Sequence, residues 1–469
     1  MAASKQSRFD VAVLGGGPGG YPAAIRAAQN GKKVALIEAK QVGGTCLNRG
    51  CIPSKTLIAG AEVLHKIQEA DQFGISVGKV SFDYAKMVDR KEDVVDKIRK
   101  SLSGLIAANQ ITLIKGFGKF TSPRTIKVQG EDNVEIYADK IIIATGSEPR
   151  NIAAFPFDYK KIHDSTSILE LRTLPKSLVI VGGGVIGCEF ASLFSTLGVK
   201  VSVLEMLARI LPMEAEVVSK ELSKAFTKKG IHIETGVKVE GIEVTSGVKV
   251  TLGDGKYIEA ESALVAVGRS LNTHNIGLEK AGISPLANGM LEVDTSMQTK
   301  VSGIFAVGDI SSKWWLAHVA THQGIVAADN ATSKLATMHY NAIPSVIFTT
   351  PEIATVGLSL EAALEKGYKA KVGHFPFQAL GKSQAALEVD GFSQIVIDQT
   401  TGQVLGAQVV GKEAATLIAE MAIVIANELT VECITETIHA HPTISESWME
   451  SAFIGENLPL HWPPKPKAK

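Results

Sequence analysis

Short apolar runs, each closed by a cluster of glycines and followed by a helical period, organise the first half of the chain. Phe9 to Leu14 alternates into a strand, Gly15-Gly16-Gly17-Pro18-Gly19-Gly20 turns it, and the alanine-rich Ala23 to Gln29 has the period of a helix. Lys33 to Ile37 supplies the next strand and ends on Glu38. Helical stretches then run through Asn109. Asp83 to Ala108 is the longest, and its charge-rich part, Asp89 to Lys100, predicts a solvated face. Thr112 to Gly118, Thr125 to Val128 and Ile141 to Ala144 are expected strands, the last entering the turn Ala144-Thr145-Gly146-Ser147-Glu148-Pro149.

The pattern then recurs. Ser177 to Val181 is a strand, Gly182-Gly183-Gly184-Val185-Ile186-Gly187-Cys188-Glu189 a second glycine turn, Phe190 to Leu197 a helix, and Val199 to Leu204 a strand ending on Glu205. In both copies the first glycine and the terminal acid stand 23 positions apart, Gly15 to Glu38 and Gly182 to Glu205. The G-x-G-x-x-G spacing falls on Gly15, Gly17 and Gly20, and again on Gly182, Gly184 and Gly187. A strand, a tight turn and a helix N-terminus form a seat for a pyrophosphate, and an acid ending the next strand can accept ribose hydroxyls. One glycine motif alone is a weak signal, whereas two complete units with equal spacing imply two dinucleotide cofactors. Pro22 falls in the first helical turn, where proline is tolerated.

Leu264-Val265-Ala266-Val267-Gly268-Arg269 closes the second unit much as Ala144-Thr145-Gly146 closes the first. From Ile343 onward β-branched runs dominate, with strands expected at Ser345 to Thr349, Ser393 to Asp398 and Val404 to Val410 and a helix at Ala414 to Glu428. The tail Pro459 to Lys469, with four prolines and three lysines, is too stiff and polar to join a core and is expected to be mobile.

A length of 469 residues suggests about three to four domains. Lys+Arg and Asp+Glu balance at 48 each, so no global field recruits nucleic acid or an anionic membrane. Met1 to Asp10 lacks the apolar core of a signal peptide, no stretch approaches the ~18 apolar residues of a membrane helix, and a soluble cytoplasmic protein is expected. Four cysteines in so long a chain cannot make a disulfide scaffold; they fit a reducing compartment and one functional pair.

That pair is Cys46 and Cys51 in Gly43-Gly44-Thr45-Cys46-Leu47-Asn48-Arg49-Gly50-Cys51-Ile52-Pro53-Ser54-Lys55, read as a loop entering a helix. A thiol at a helix N-terminus with a lysine one turn on has reason to ionise readily. The alternatives are a metal pair, for which no second Cys or Cys/His cluster exists, or two unlinked core cysteines; no metal is expected. Cys188 and Cys433 lack obvious partners and read as small core residues. Near the end, His441 and Glu446 are spaced so that a carboxylate can orient an imidazole, as general-base catalysis requires, although a structural histidine is the equally open reading.

The segment Gly43 to Lys55 resembles the redox-active disulfide segment of the flavin-dependent pyridine nucleotide-disulfide oxidoreductases. His439-Ala440-His441-Pro442-Thr443-Ile444-Ser445-Glu446 resembles that family's H-x-H-P-T-x-S-E segment position for position. The likeness runs from Asp10 to about His461. It implies an α/β fold with two Rossmann-like dinucleotide-binding domains, for FAD and NAD, and a C-terminal α+β dimerisation domain. Residues 1–150 would be the first FAD-binding segment, 151–272 the NAD-binding domain, 273–343 the return to the FAD domain, and 344–469 the interface domain with its tail.

The same resemblance assigns the site. Gly15, Gly17, Gly20, Glu38, Gly44, Thr45, Gly118, Thr145, Gly146, Ser147, Gly308 and Asp309 would hold FAD, with Leu316, Ala317 and His318 close to the flavin. Trp314 and Trp315 just before them read as packing. Gly182, Gly184, Gly187, Glu205 and Gly268 would hold NAD, and Lys55 and Glu189 would pair near the flavin's reactive nitrogen. Cys46 would exchange with a substrate dithiol, Cys51 would face the flavin, and His441, oriented by Glu446, would act as base on the disulfide of the opposite subunit of a homodimer. The wording is nearest to the branch that oxidises dihydrolipoamide with NAD, implying lipoyl domains and the acyltransferase core of a 2-oxoacid dehydrogenase complex, or glycine cleavage, as partners.

Glu205 favours NAD because its carboxylate would repel a 2′-phosphate, and Arg209 comes too late to clamp one. An NADPH-dependent glutathione-reductase-like enzyme is the nearest rival. A flavoprotein that mainly docks or senses redox state is the rival from another class.

Overall fold

The computed structural model describes residues 7–464. Ser7–Leu14 is the central strand of the first sheet, lying parallel between Val34–Glu38 and Val134–Ile143, with Thr112–Lys115 beyond Val34–Glu38. Layers cover both faces, so Val13, Leu36 and Ile142 are completely buried and the strands read as continuous apolar runs. Ile304–Ala306 pairs with Ile141, Ile142 and Ile143, so the chain returns to its first sheet after the second unit is complete. The run read as one strand from Thr112 to Gly118 divides at Gly116, whose φ of +155° turns Phe117–Ser122 into an antiparallel meander with Thr125–Gln129. Helix Gly20–Gln29 seats Ala23, Ala24 and Ala27 in the core and lies against helix Ala317–Ala331. A Cβ on Gly324 would stand 2.2 Å from the Gly19 carbonyl oxygen, so that glycine sets how closely the helices meet.

The second sheet repeats this order. Ser177–Val181 lies parallel between Lys200–Glu205 and Ser262–Val265, with His232–Thr235 and Ile162–His163 at the edges. A three-stranded antiparallel sheet, Val239–Val244, Val248–Leu252 and Tyr257–Ala260, accompanies it. Ile180, Val203, Leu222 and Phe226 are fully buried here, each contributing about 1.5–3 kcal/mol relative to exposure.

The C-terminal sheet is wholly antiparallel, ordered Ser345–Ile347, Ile353–Gly357, Val404–Val410, Phe392–Asp398, Ala370–Pro376. Two of its three inner strands, Val404–Val410 and Phe392–Asp398, are buried at every position. Helices Ala414–Ala426 and Glu446–Gly455 pack on it, and Trp448, fully buried, donates its indole N–H to the Leu417 carbonyl at 3.2 Å.

Several local expectations change. The charged helix, Tyr84–Ala108 with Asp83 as its cap, is not solvated throughout: Lys91 is 2% exposed, its ammonium bonded to the Leu169 carbonyl and to Glu170 at 3.1 Å each. Arg99 on the same helix reaches Asn48 and Gln41 beside the cysteine segment. Cys433 is exposed rather than a core residue, while Cys188 is buried. The start of the tail docks, since His461 bonds Glu450 at 2.7 Å and Trp462 sets its edge against Phe375; residues 465–469 lie outside the described residues. Among the described residues no helix is long and apolar enough to cross a membrane.

Candidate functional site

The two glycine turns are built alike. Gly15 and Gly182 both have φ of +107°, and a Cβ there would stand 2.3 Å from the Ala144 carbonyl oxygen and 2.5 Å from that of Ala266. Gly20 and Gly187 would drive a Cβ to 1.7 and 1.9 Å from the carbonyl oxygens of Gly15 and Gly182. At Gly184 nothing lies within 4 Å of the missing Cβ, which leaves the backbone open to close approach by a ligand. Gly17 meets only Gly44, whose own φ is +59° and whose Cβ would stand 2.6 Å from the Gly17 Cα. The cysteine segment is therefore laid directly on the first cradle.

Each terminal acid closes its cradle through backbone amides. Glu38 accepts from Gly16 N–H and Lys40 N–H, both at 2.7 Å; Glu205 accepts from Gly183 N–H at 2.7 Å and Leu207 N–H at 2.8 Å. A carboxylate oxygen has a second lone pair, so capacity remains for ribose hydroxyls. Arg209 spends its guanidinium on the carbonyls of Pro212 and Glu214.

Cys46 and Cys51 belong to helices rather than to a loop. Cys46 is inside the short helix Gly44–Arg49, Gly50 breaks it, and Cys51 begins helix Cys51–Gln68. Both are free thiols in this structure. They are not equivalent. Cys51 is lowered to about 7, first because the Cys46 thiol donates to it and further by the Lys55 cation, against the effect of burial. The Cys46 thiol is pushed up, because losing its proton would break that bond and set two thiolates side by side. Of the two, Cys51 is the sulfur that ionises first.

Lys55 lies one helical turn beyond Cys51, and its ammonium meets Glu189 at 2.7 and 2.9 Å. Glu189 is 8% exposed and sits in the helix that follows the second glycine turn, so the pair bridges the two units. Phe348 contributes from the C-terminal domain: its N–H donates to Glu189 Oε1 at 3.0 Å and its ring lies 4.4 Å from Lys55 Nζ. Phe348 was not legible in the sequence, because neither its backbone N–H nor its ring face carries a motif.

Ser147 joins the closing turn to the returning segment. It donates to Asp309 and accepts from Arg269 Nε at 2.6 Å, while Arg269 also donates to the Ser147 carbonyl at 2.7 Å. Gly308 N–H donates to the fully buried Gln323 at 2.8 Å. Thr145 Oγ1 is buried without a partner, and Gly146, with φ of +66°, has open space where its Cβ would be. Leu316 caps helix Ala317–Ala331, and His318 bonds the Pro344 carbonyl at 2.8 Å. An orphaned hydroxyl, open glycines and a helix N-terminus fit a dinucleotide there. Gly118 faces inward, where a Cβ would strike Leu14 and Ile37, so only its backbone could meet a ligand. Gly268, with φ of +112°, is likewise open except for Arg150. Trp314 is partly buried on the core beside helix Ala317–Ala331, with the Lys313 ammonium over its ring, whereas Trp315 is exposed.

The histidine pair forms a separate centre. His441 Nδ1 bonds Glu446 Oε1 at 2.8 Å, Glu446 Oε2 accepts Thr443 N–H at 2.8 Å, and the imidazole is 75% exposed with Nε2 unengaged. No hydrogen bond or ion pair among the described residues links it to Cys46, Cys51 or Lys55.

Residues 9–324 match the family described as pyridine nucleotide-disulphide oxidoreductase, and residues 343–452 its dimerisation domain. The chain belongs to that family, whose cofactors are FAD and NAD. It is similar to a dihydrolipoyl dehydrogenase of Chlamydia pneumoniae, 52% identical over 97% of this chain and 99% of the relative. One from Bacillus subtilis is 40% identical over 97% and 100%. Among solved structures, LpdA from Mycobacterium tuberculosis superposes with a TM-score of 0.90 at 28% identity, covering 95% of this chain and 99% of that one.

Proposed function

We propose that the protein oxidises protein-bound dihydrolipoamide to lipoamide and reduces NAD+ to NADH, with Cys46 and Cys51 as the redox-active pair of a homodimer. It serves lipoyl domains carried on the acyltransferase core of a 2-oxoacid dehydrogenase complex, or glycine cleavage. In the oxidised enzyme the two sulfurs are bridged. A substrate thiol gives its proton to His441 of the partner subunit, and the resulting thiolate attacks Cys46, because Cys51, the more acidic thiol, is then the leaving group. The bond from Cys46 to Cys51 breaks and Cys51 leaves as a thiolate, which the Lys55 ammonium stabilises. The second substrate thiol then displaces Cys46, its proton passing to the departing Cys46 sulfur, which closes lipoamide and leaves Cys46 as the thiol. The Gly15–Gly20 cradle, Glu38, Ser147 and Asp309 would hold FAD and the Gly182–Gly187 cradle NAD+, and the flavin would supply two-electron transfer between the thiol pair and the nicotinamide. Glu446 holds the His441 ring through Nδ1, which leaves Nε2 to take the proton.

The observation that carries this reading is the unequal pair of thiols beside Lys55 and Glu189, set between two dinucleotide cradles. Two parallel assays test it: dihydrolipoamide with NAD+, and glutathione disulfide with NADPH. Turnover in the first alone is expected, and turnover in the second alone overturns the assignment.

A further inference from the structure

Three histidine–carboxylate pairs lie close together in the C-terminal domain, and they are not alike. His441 bonds Glu446 and His461 bonds Glu450, each through Nδ1 only, with the imidazoles 75% and 72% exposed. His439 is the exception. Its side chain is 5% exposed, and both ring nitrogens are engaged: Nε2 with Glu420 Oε1 at 3.0 Å and Nδ1 with the Thr437 carbonyl at 2.9 Å. Both partners are acceptors with no proton to give. A neutral imidazole has one N–H, so in either tautomer the other lone pair would confront an oxygen at hydrogen-bond distance; only the imidazolium donates to both.

The location gives this cation a task. Glu420 stands on helix Ala414–Ala426, and Thr437 on the turn after helix Val431–Thr435. His439 therefore pins the start of the loop that carries His441 to helix Ala414–Ala426 through Glu420, with its other nitrogen fixed by the carbonyl of Thr437 two residues earlier. Within that loop the bonds are short-range: Thr443 Oγ1 to the Ala440 carbonyl at 2.7 Å and Thr443 N–H to Glu446. Nothing in them fixes the loop to the rest of the domain at its entry. We infer that His439 is a positioning residue which works as an imidazolium, holding the His441 loop in place and releasing it when the proton is lost at alkaline pH. This inference rests on the proposed role of His441.

The charged groups facing His439 are Glu420 from helix Ala414–Ala426 and Glu446 from helix Glu446–Gly455, and both favour the cation. The bond to Glu420 raises its pKa first of all, burial opposes this, and the Thr437 carbonyl adds to the rise. A raised folded-state pKa means that the anchor is fully formed below the ordinary histidine range and is lost as pH rises through the raised value. His439→Gln, with donors on one nitrogen only, cannot span both acceptors.

The test pairs a direct readout with a kinetic one. In the wild-type homodimer, nitrogen NMR of 15N-histidine-labelled protein, with His439→Gln for assignment, is expected to show both His439 nitrogens still protonated just above the ordinary histidine range. A single protonated nitrogen there overturns the inference and leaves the proposed function untouched. Glu420→Gln keeps the oxygen acceptor but removes the charge. It is expected to move the alkaline limb of dihydrolipoamide oxidation to lower pH by about one unit, the size of a lost charge-assisted hydrogen bond. The KM for NAD+ should not change, and Glu420→Asp should restore much of the shift. A Glu420→Gln profile superimposable on wild type sinks the positioning role. A Glu420→Gln chain that does not fold leaves the NMR result to decide. Inactivity of dihydrolipoamide in every form of the enzyme would instead refute the proposed function.

Discussion

Lys55 and Glu189 are 134 positions apart in the chain and meet at 2.7 Å, with Phe348 of a third domain touching both. The pair is largely buried, with side-chain exposures of 29% and 10%. Breaking such a pair on one side leaves an uncompensated buried charge. Lys55→Met is therefore expected to lower stability by about 3 kcal/mol and to raise the pKa of Cys51, while Lys55→Met with Glu189→Met costs less than the two single changes added. Chemical denaturation of the four proteins checks the first claim and alkylation rate against pH the second. Additive single effects would show that the ion pair does not couple the domains.

The cysteines are expected to fail differently when replaced. With Cys51 kept and Cys46→Ser, the hydroxyl can still donate to a thiolate lowered to about 7, and a long-wavelength charge-transfer band should persist at pH 8. Cys51→Ser should lose it. Cys46→Ala removes the donor that contributes most to the lowering, so its band should appear only at higher pH, because the thiolate forms above the pKa. Identical spectra from the Cys46→Ser and Cys51→Ser variants would reverse the assignment of the sulfurs.

Glu205 holds the turn of its cradle through Gly183 and Leu207 N–H and is proposed to accept the ribose hydroxyls of NAD+. Glu205→Gln is expected to weaken NAD+ binding by ~1 to 3 kcal/mol, the cost of an unmet charged hydrogen bond. Direct titration of NAD+ and NADP+ measures it. A wild type that prefers NADP+ would contradict the reading.

Glu214 is half-buried between the second unit and the C-terminal sheet, where it accepts from Ser345 at 3.2 Å and Thr355 at 2.9 Å. Burial raises its pKa, with the two hydroxyls opposing. A raised carboxyl favours the folded state below its unfolded pKa, and that contribution is lost as pH rises through the folded value. Urea denaturation at pH 5 and pH 8 should show Glu214→Gln gaining stability relative to wild type at the higher pH. An equal difference at both pH values would rule out ionisation of Glu214 as the cause.

His441 and the thiols are unconnected within one chain, which makes subunit exchange decisive. Cys46→Ser and His441→Gln chains should each be nearly inactive. After full exchange about half the dimers are mixed and each has one complete site, so activity should return to roughly a quarter of wild type under two-fold symmetry. No recovery after exchange verified by mass would mean that each chain completes its own site.

Both dinucleotide units could be read from the sequence because their requirements are local: a strand, glycines that permit φ of +107° and close contact, and an acid ending the next strand. Cys46, Cys51, His441 and Glu446 stood out for the same reason, each pair lying within five residues. Tertiary structure alone decided the rest. Periodicity reports which face of a segment is buried, not which distant group satisfies it. It could not show that Lys91 is withdrawn from the solvated face to meet the Leu169 carbonyl, or that His461 docks on Glu450. Nor could it separate His439 from His441, two histidines in one motif, of which one is closed in by two acceptors and the other left open. A buried charge is stabilised by whatever donor or acceptor the packing brings to it, and only the folded chain specifies that partner.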